Sequence, residues 1–333
     1  MEAPIFIVGA PRSGTTLLRS ILNRHPRIAI CGETHFHHYV YTRRRAFGDL
    51  RDLRNRRRLV DEYLALKRLR FVTDRAGLRE KLLREGNTYR EFFTCFVKYH
   101  TEALGKPRWG EKTPQHALFA ETLCDWYPGG TLIHMIRDPR DVVASLQRVP
   151  FAANSVVQNA WSWSRHNLAA HRCKDRPQYL AVCYETLVTD PAREVARICE
   201  RLREEYLPSM LNPVENEFLP ARVSWMALAH EPVTTSRLGA WRHDLTVAEV
   251  AQVEWAVGRH METFGYQRAV APASRLTIAR GLSFAAYDSA RRRLPRLPGA
   301  LYYLFRPTRL AKEEFWMRSR KRQSEQLLPA ARR

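Results

Sequence analysis

The stretch Pro4-Ile5-Phe6-Ile7-Val8-Gly9-Ala10-Pro11-Arg12-Ser13-Gly14-Thr15-Thr16-Leu17-Leu18 constrains this chain more than any other. Ile5 to Val8 is a short apolar run rich in β-branched residues, the pattern of a buried strand. Gly9 to Gly14 is a glycine-bounded turn. From Ser13 to Asn23 the apolar residues Leu17, Leu18, Ile21 and Leu22 fall at helical spacing. A strand that feeds a helix through such a turn builds an anion cradle. The first N–H groups of the helix have no internal partner and point into the turn.

The spacing Gly9-x-x-x-x-Gly14 followed by Thr15-Thr16 resembles a Walker A loop in which Thr15 replaces the lysine and Arg12 sits inside the turn. A nucleoside triphosphate site uses that lysine, with magnesium, on its terminal phosphates. A loop with its cation elsewhere suits a less charged group, such as a sulfuryl group on a nucleotide. A second anion element follows the apolar strand Thr131 to Ile136, at Arg137-Asp138-Pro139-Arg140-Asp141-Val142-Val143-Ala144-Ser145. Asp138 suits a helix N-cap and Pro139 its first turn. Arg137 at the strand end and Ser145 two turns on can converge on one anion. The competing reading of Arg137 is a structural pair with an aspartate; Arg140 either helps bind or is surface.

Over about its first 265 residues the chain is similar to sulfotransferases that use 3′-phosphoadenosine 5′-phosphosulfate (PAPS), of the bacterial type related to the tyrosylprotein enzymes. The resemblance implies an α/β, P-loop nucleotide-kinase-like domain of three layers around a mostly parallel sheet. It implies that Arg12, Ser13, Gly14, Thr15 and Thr16 hold the 5′ end of the donor and that Arg137 and Ser145 hold the 3′-phosphate. Gly32-Glu33-Thr34-His35 matches the stretch that carries the catalytic base, so Glu33 takes that role, with His35 as the rival. Glu111-Lys112-Thr113-Pro114 resembles a recurring element that places Lys112 near the transferred group, unless Lys112 simply pairs with Glu111. Tyr184, at the end of the strand Tyr179 to Cys183, matches a tyrosine beside the adenine and 3′-phosphate. The segment Ser236-Arg237-Leu238-Gly239-Ala240-Trp241-Arg242 resembles the loop that closes the site, through Gly239, Trp241 and Arg242, with a hydroxyl from Ser236. Arginines then replace the magnesium that kinases need, so the expectation is a metal-independent enzyme with no metal site.

Composition narrows the setting. The 333 residues, 45% hydrophobic, suffice for a large core, assigned to residues 1–268 with a helical insertion at 40–105. No apolar run approaches the ~18–20 residues of a membrane span, and the first strand begins at once, which reads as cytoplasmic. The six scattered cysteines read as reduced core residues. Trp161 and Trp163 read as core. Thr246 to Phe264 reads as one helix, opened by a Thr246–Glu249 capping box and closed by Gly265. The net charge of +21 gathers in arginine clusters at 43–58 and 291–322. Solvated helix faces are favoured over nucleic-acid binding. Residues 269–333 mix arginine with aromatics, which suits peripheral contact with an anionic membrane, an added helix pair, or a homo-oligomer interface. The acceptor is a hydroxyl of a lipid, carbohydrate, other small metabolite, phenol or peptide tyrosine. The rival functions are a metal-dependent P-loop kinase and a non-catalytic membrane- or nucleic-acid-binding protein.

Overall fold

The computed structural model describes residues 3–66, 69, 72–149, 152–212 and 232–293. Strand β1 (Ile5–Gly9) leads into helix α1 (Thr15–Asn23), and β2 (Ile28–Cys31) follows. The insertion is helical, with α2 (Phe36–Tyr39), α3 (Arg44–Phe47), α4 (Leu53–Leu64), α5 (Arg75–Glu85) and α6 (Tyr89–Glu102). Then come β3 (Arg108–Lys112), α7 (Ala120–Trp126), β4 (Thr131–Ile136), α8 (Pro139–Gln147), α9 (Val156–His171) and β5 (Tyr179–Cys183). Helices α10 (Tyr184–Thr189), α11 (Pro191–Leu202), α12 (Trp241–Asp244), α13 (Val247–Val257), α14 (His260–Thr263) and α15 (Arg275–Arg293) complete the described chain.

The five strands pair in the order β2-β3-β1-β4-β5, all parallel. Alternation along β1 explains the layers. Ile5 and Ile7 pack with Leu18, Ile21 and Leu22 of α1 on one face. Phe6 and Val8 point the other way, into a core shared with Phe36, Phe92, Phe93 and Trp109. Both faces of the sheet are therefore covered, as parallel sheets require. The insertion supplies one cover and presents its α6 aromatics to the strands.

Local signals set most helix starts. Asp52, Thr88, Asp138, Ser155, Asp190 and Thr246 each accept a first-turn N–H, and Thr88 and Thr246 form reciprocal capping boxes with Glu91 and Glu249. One sequence expectation changes. The single helix expected over Thr246 to Phe264 is broken: Gly258 adopts φ 59° and separates α13 from α14, while Gly265 closes α14 at φ 85° as anticipated. A 3-10 turn at Pro114–Phe119 leads from β3 into α7. Trp163 is core and Trp161 is exposed. The six cysteines are unpaired, and all but Cys183 are buried.

The basic extension enters the description only through α15, which lies on α9 and α13. Asn154 donates to Asp288, and Gln252 donates to the Thr277 carbonyl at 3.0 Å. The arginines and aromatics from residue 294 onward lie outside the described residues, as do 213–231 of the proline-rich loop. Arg140 corrects its surface reading. It is buried and ion-paired at 2.7 Å to Asp138 and 2.9 Å to Glu254 of α13. Arg140→Met would strand two carboxylates and should cost about 3–5 kcal/mol, seen as a lower urea midpoint with an unchanged m-value.

Candidate active site

The site is built from the carboxyl ends of β1, β2, β3 and β4, where an open parallel sheet places its ligands. At the end of β1 the turn reverses through left-handed backbone at Arg12 (φ 75°) and Gly14 (φ 91°). Helix α1 then starts with no side-chain cap and no acidic residue in its first turn. Its N–H groups are thus left for a ligand. The Ser13 hydroxyl, fully buried, has no hydrogen-bond partner among the described residues. An uncapped helix start beside a buried unsatisfied hydroxyl fits an oxyanion.

The second element lies beside the first. The Arg12 side chain turns away from its own loop, and its Nε donates to Ser145 Oγ at 3.0 Å. Arg137 donates to the Arg12 carbonyl at 3.3 Å and to the Arg237 carbonyl at 2.7 Å, and its guanidinium stacks 4.0 Å from the Tyr184 ring. Asp141 also lies 3.7 Å from it, so the structural pair with an aspartate is present. Burial first, and Arg137 second, push the Arg12 guanidinium below its usual pKa, with Glu33 pulling the other way. Arginines brought this close in a dry site favour an anion between them. The residues therefore fit a doubly phosphorylated nucleotide, and Arg12 links the turn after β1 to Ser145 of α8.

The closing loop is tied to α8. The amides of Gly239 and Trp241 both donate to the Asp141 carboxylate at 3.0 Å. Trp241 is packed between the guanidinium groups of Arg140 and Arg242, at 4.3 and 4.5 Å. Asp141 thus anchors the loop. Arg237 was not singled out from the sequence, yet its backbone touches Arg137. Asp141 had a visible signal, one helical turn after Arg137.

The third group joins β2 to β3. Lys112 does not pair with its neighbour Glu111. Its Nζ lies 2.5 Å from Glu33 Oε1 and 3.3 Å from Thr16 Oγ1. The lysine absent from the loop sequence is in effect supplied from β3. The other oxygen of Glu33 meets His35 Nε2 at 3.0 Å. Desolvation raises the Glu33 pKa, but Lys112, then His35, outweigh it and hold the carboxyl well below the ordinary range. Both candidate bases sit in one cluster, with Glu33 a third exposed and Lys112 buried. Glu111, unassigned from sequence, is buried behind them and bonded to Thr34, Thr113 and His116.

Gly14 leaves no room for a side chain: a Cβ there would lie 2.5 Å from the Tyr184 ring, at a φ that L residues avoid. Gly14→Ala should weaken 3′-phosphoadenosine 5′-phosphate (PAP) by about tenfold or more in calorimetry, since the cradle and Tyr184 must both shift.

Comparison with known proteins points to one family. The pattern of the Sulfotransferase family matches residues 4–208. A Caenorhabditis briggsae protein whose name assigns it to the protein-tyrosine sulfotransferases is 30% identical over 235 residues, covering 67% of this chain and 72% of that protein. The nodulation protein NoeE of Sinorhizobium fredii is 25% identical over 296 residues, 80% of this chain and 66% of its own. In structure, the sulfotransferase domain of the Synechococcus PCC 7002 olefin synthase superposes with a TM-score of 0.56 at 23% identity, over 80% of this chain and 97% of that domain, a likeness of fold.

Proposed function

The chain belongs to the sulfotransferase family, which moves a sulfuryl group from PAPS to a hydroxyl, and we propose that Glu33 is the base of that transfer. One observation carries the reading: the Glu33 carboxylate is joined through Lys112 to Thr16 of the anion loop, so base and donor cradle form one unit. The bound donor supplies an electrophilic sulfur and a phosphate leaving group. Glu33, ionised and partly open, accepts the proton of the acceptor hydroxyl at a carboxylate oxygen. Lys112 and the amides from Ser13 to Thr16 face the charge that grows on the leaving oxygen. Arg12, Ser145, Arg137 and Tyr184 grip the remaining phosphate and the base stacked on it. Ser236, Gly239, Trp241 and Arg242 act by shaping the loop over it.

Lys112 links the two halves of the reaction. In the resting arrangement it depresses the Glu33 pKa. An anion in the cradle draws the ammonium toward Thr16, loosens its hold on Glu33, and makes that carboxylate a better base when donor is present. The site's cations supply the charge that magnesium supplies in kinases, so turnover is proposed to be metal-independent. Glu33→Gln should lower kcat by about 10²–10⁴-fold with PAP affinity changed by less than about twofold. Full turnover in that variant would transfer the role to His35. In the same assay EDTA should leave the rate unchanged; loss restored by magnesium would refute metal independence.

We further propose that the acceptor hydroxyl is presented at an anionic membrane surface on the cytoplasmic side. Supporting this, α15 exposes Leu276, Phe284 and Tyr287 in one stripe with Arg280 and Arg291. Its acidic residue, Asp288, is buried against Asn154. Basic helices with such a stripe bind anionic lipid. The protein should sediment with phosphatidylglycerol vesicles, release in high salt, and ignore phosphatidylcholine vesicles. Phe284→Asp combined with Tyr287→Asp should abolish sedimentation; equal binding to neutral vesicles would sink the idea.

A further inference from the structure

Glu111 lies at the penultimate position of β3, fully buried, one residue before Lys112. Its Oε1 accepts from the Thr34 amide at 3.1 Å, from Thr34 Oγ1 at 2.9 Å, and from Thr113 Oγ1. Its Oε2 faces His116 Nδ1 at 3.1 Å. The partners of Glu111 then act outward. Thr113 Oγ1, its proton committed to Glu111, accepts the His35 amide at 3.3 Å. Thr34 Oγ1, likewise committed, accepts the Phe36 amide at 3.3 Å. His116 Nε2 accepts the His37 amide at 3.3 Å. Four consecutive backbone amides, 34 to 37, therefore find their acceptors in Glu111 itself or in a group whose proton Glu111 holds.

We infer that Glu111 is the positioning residue for the catalytic base: it fixes the loop after β2, and so the aim of Glu33 and His35, by setting the hydrogen-bond direction of every group beneath that loop. The inference rests on the reading of Glu33 as the base. The chemistry explains why a carboxylate stands here. An ionised carboxyl only accepts, on both oxygens. Thr34, Thr113 and His116 must then all donate to it, and each keeps a lone pair for the loop. The His116 tautomer follows: Nδ1 carries the proton and Nε2 is bare. An amide at position 111 has the same outline but one donating end. Turned toward His116, that end drives the imidazole proton to Nε2, where it opposes the His37 N–H. Turned toward the threonines, it opposes three donors. Either way a buried amide loses its acceptor, and the loop must move to recover one. The backbone here has little freedom, since His35 is held at φ 49°.

A double-mutant cycle separates positioning from general support. Glu111→Gln should lower kcat by about tenfold to a hundredfold, part of what the base itself contributes. PAP affinity should stay within about twofold, because the amides that depend on Glu111 lie in the loop after β2 and not in the turn after β1 or on α8. In a Glu33→Gln background the same substitution should cost less than about twofold, there being no base left to misplace. Equal losses in both backgrounds, or PAP binding that weakens in parallel with kcat, would overturn the inference. Should Glu111→Gln not fold, Thr113→Val removes only the hydroxyl under the His35 amide and should show the same pattern, with Thr113→Ser restoring turnover. Nitrogen-15 NMR of His116 reads the network without reference to turnover: a neutral ring protonated at Nδ1 is expected, and a proton on Nε2 refutes the network. If Glu33→Gln alone proved fully active, the base assignment would fall while the His116 result still decided whether Glu111 directs the loop.

Discussion

The structure turns on positive charge gathered at the carboxyl ends of parallel strands. Lys112 and Arg137 are almost wholly withdrawn from water, and Arg12 is held against Ser145. Cations at such range raise each other's energy, and burial adds to it. The fold tolerates this because rigid strands on either side prevent the groups from separating, and because a helix N-terminus left without a cap adds its own positive end. The proposed donor, with negative charge at both ends, would relieve that repulsion.

The acidic residues nearby divide by exposure. Asp141, Glu111 and Glu254 are buried, and each is committed to structure: to the amides of the closing loop, to the loop after β2, and to Arg140. Glu33 differs. Its side chain keeps a third of its surface open, and its partners are the lysine that touches the anion loop and a histidine. It is these features, an ionised and reachable carboxylate linked to the first turn of α1, on which the proposed role of Glu33 as base rests.

Much of this was legible in the chain. The strand-turn-helix at Ile5 to Asn23, the Arg137–Ser145 spacing and the caps at Asp138 and Thr246 depend on neighbours within two helical turns, so local pattern reveals them. The helix break at Gly258 was missed because a glycine inside a periodic run can sit in a helix or end it, and only packing decides. Arg140 was misjudged because an arginine is usually exposed; its partner Glu254 lies 114 residues away. Glu111 was passed over for the same reason, as the groups that it organises come from two strand ends.

By itself, then, the sequence determined the strand-turn-helix at Ile5 to Asn23, the capped helix that follows the fourth strand, and the helices of the insertion. Each is a matter of short-range geometry and backbone hydrogen bonding. Tertiary structure alone decided which partner each charge takes: Lys112 with Glu33 rather than Glu111, Arg12 with Ser145, Asp141 with the amides of Gly239 and Trp241. Those pairings join residues 79 to 133 positions apart. They exist because parallel pairing in the order β2-β3-β1-β4-β5 brings separate strand ends to one edge, an order fixed by how the whole core packs.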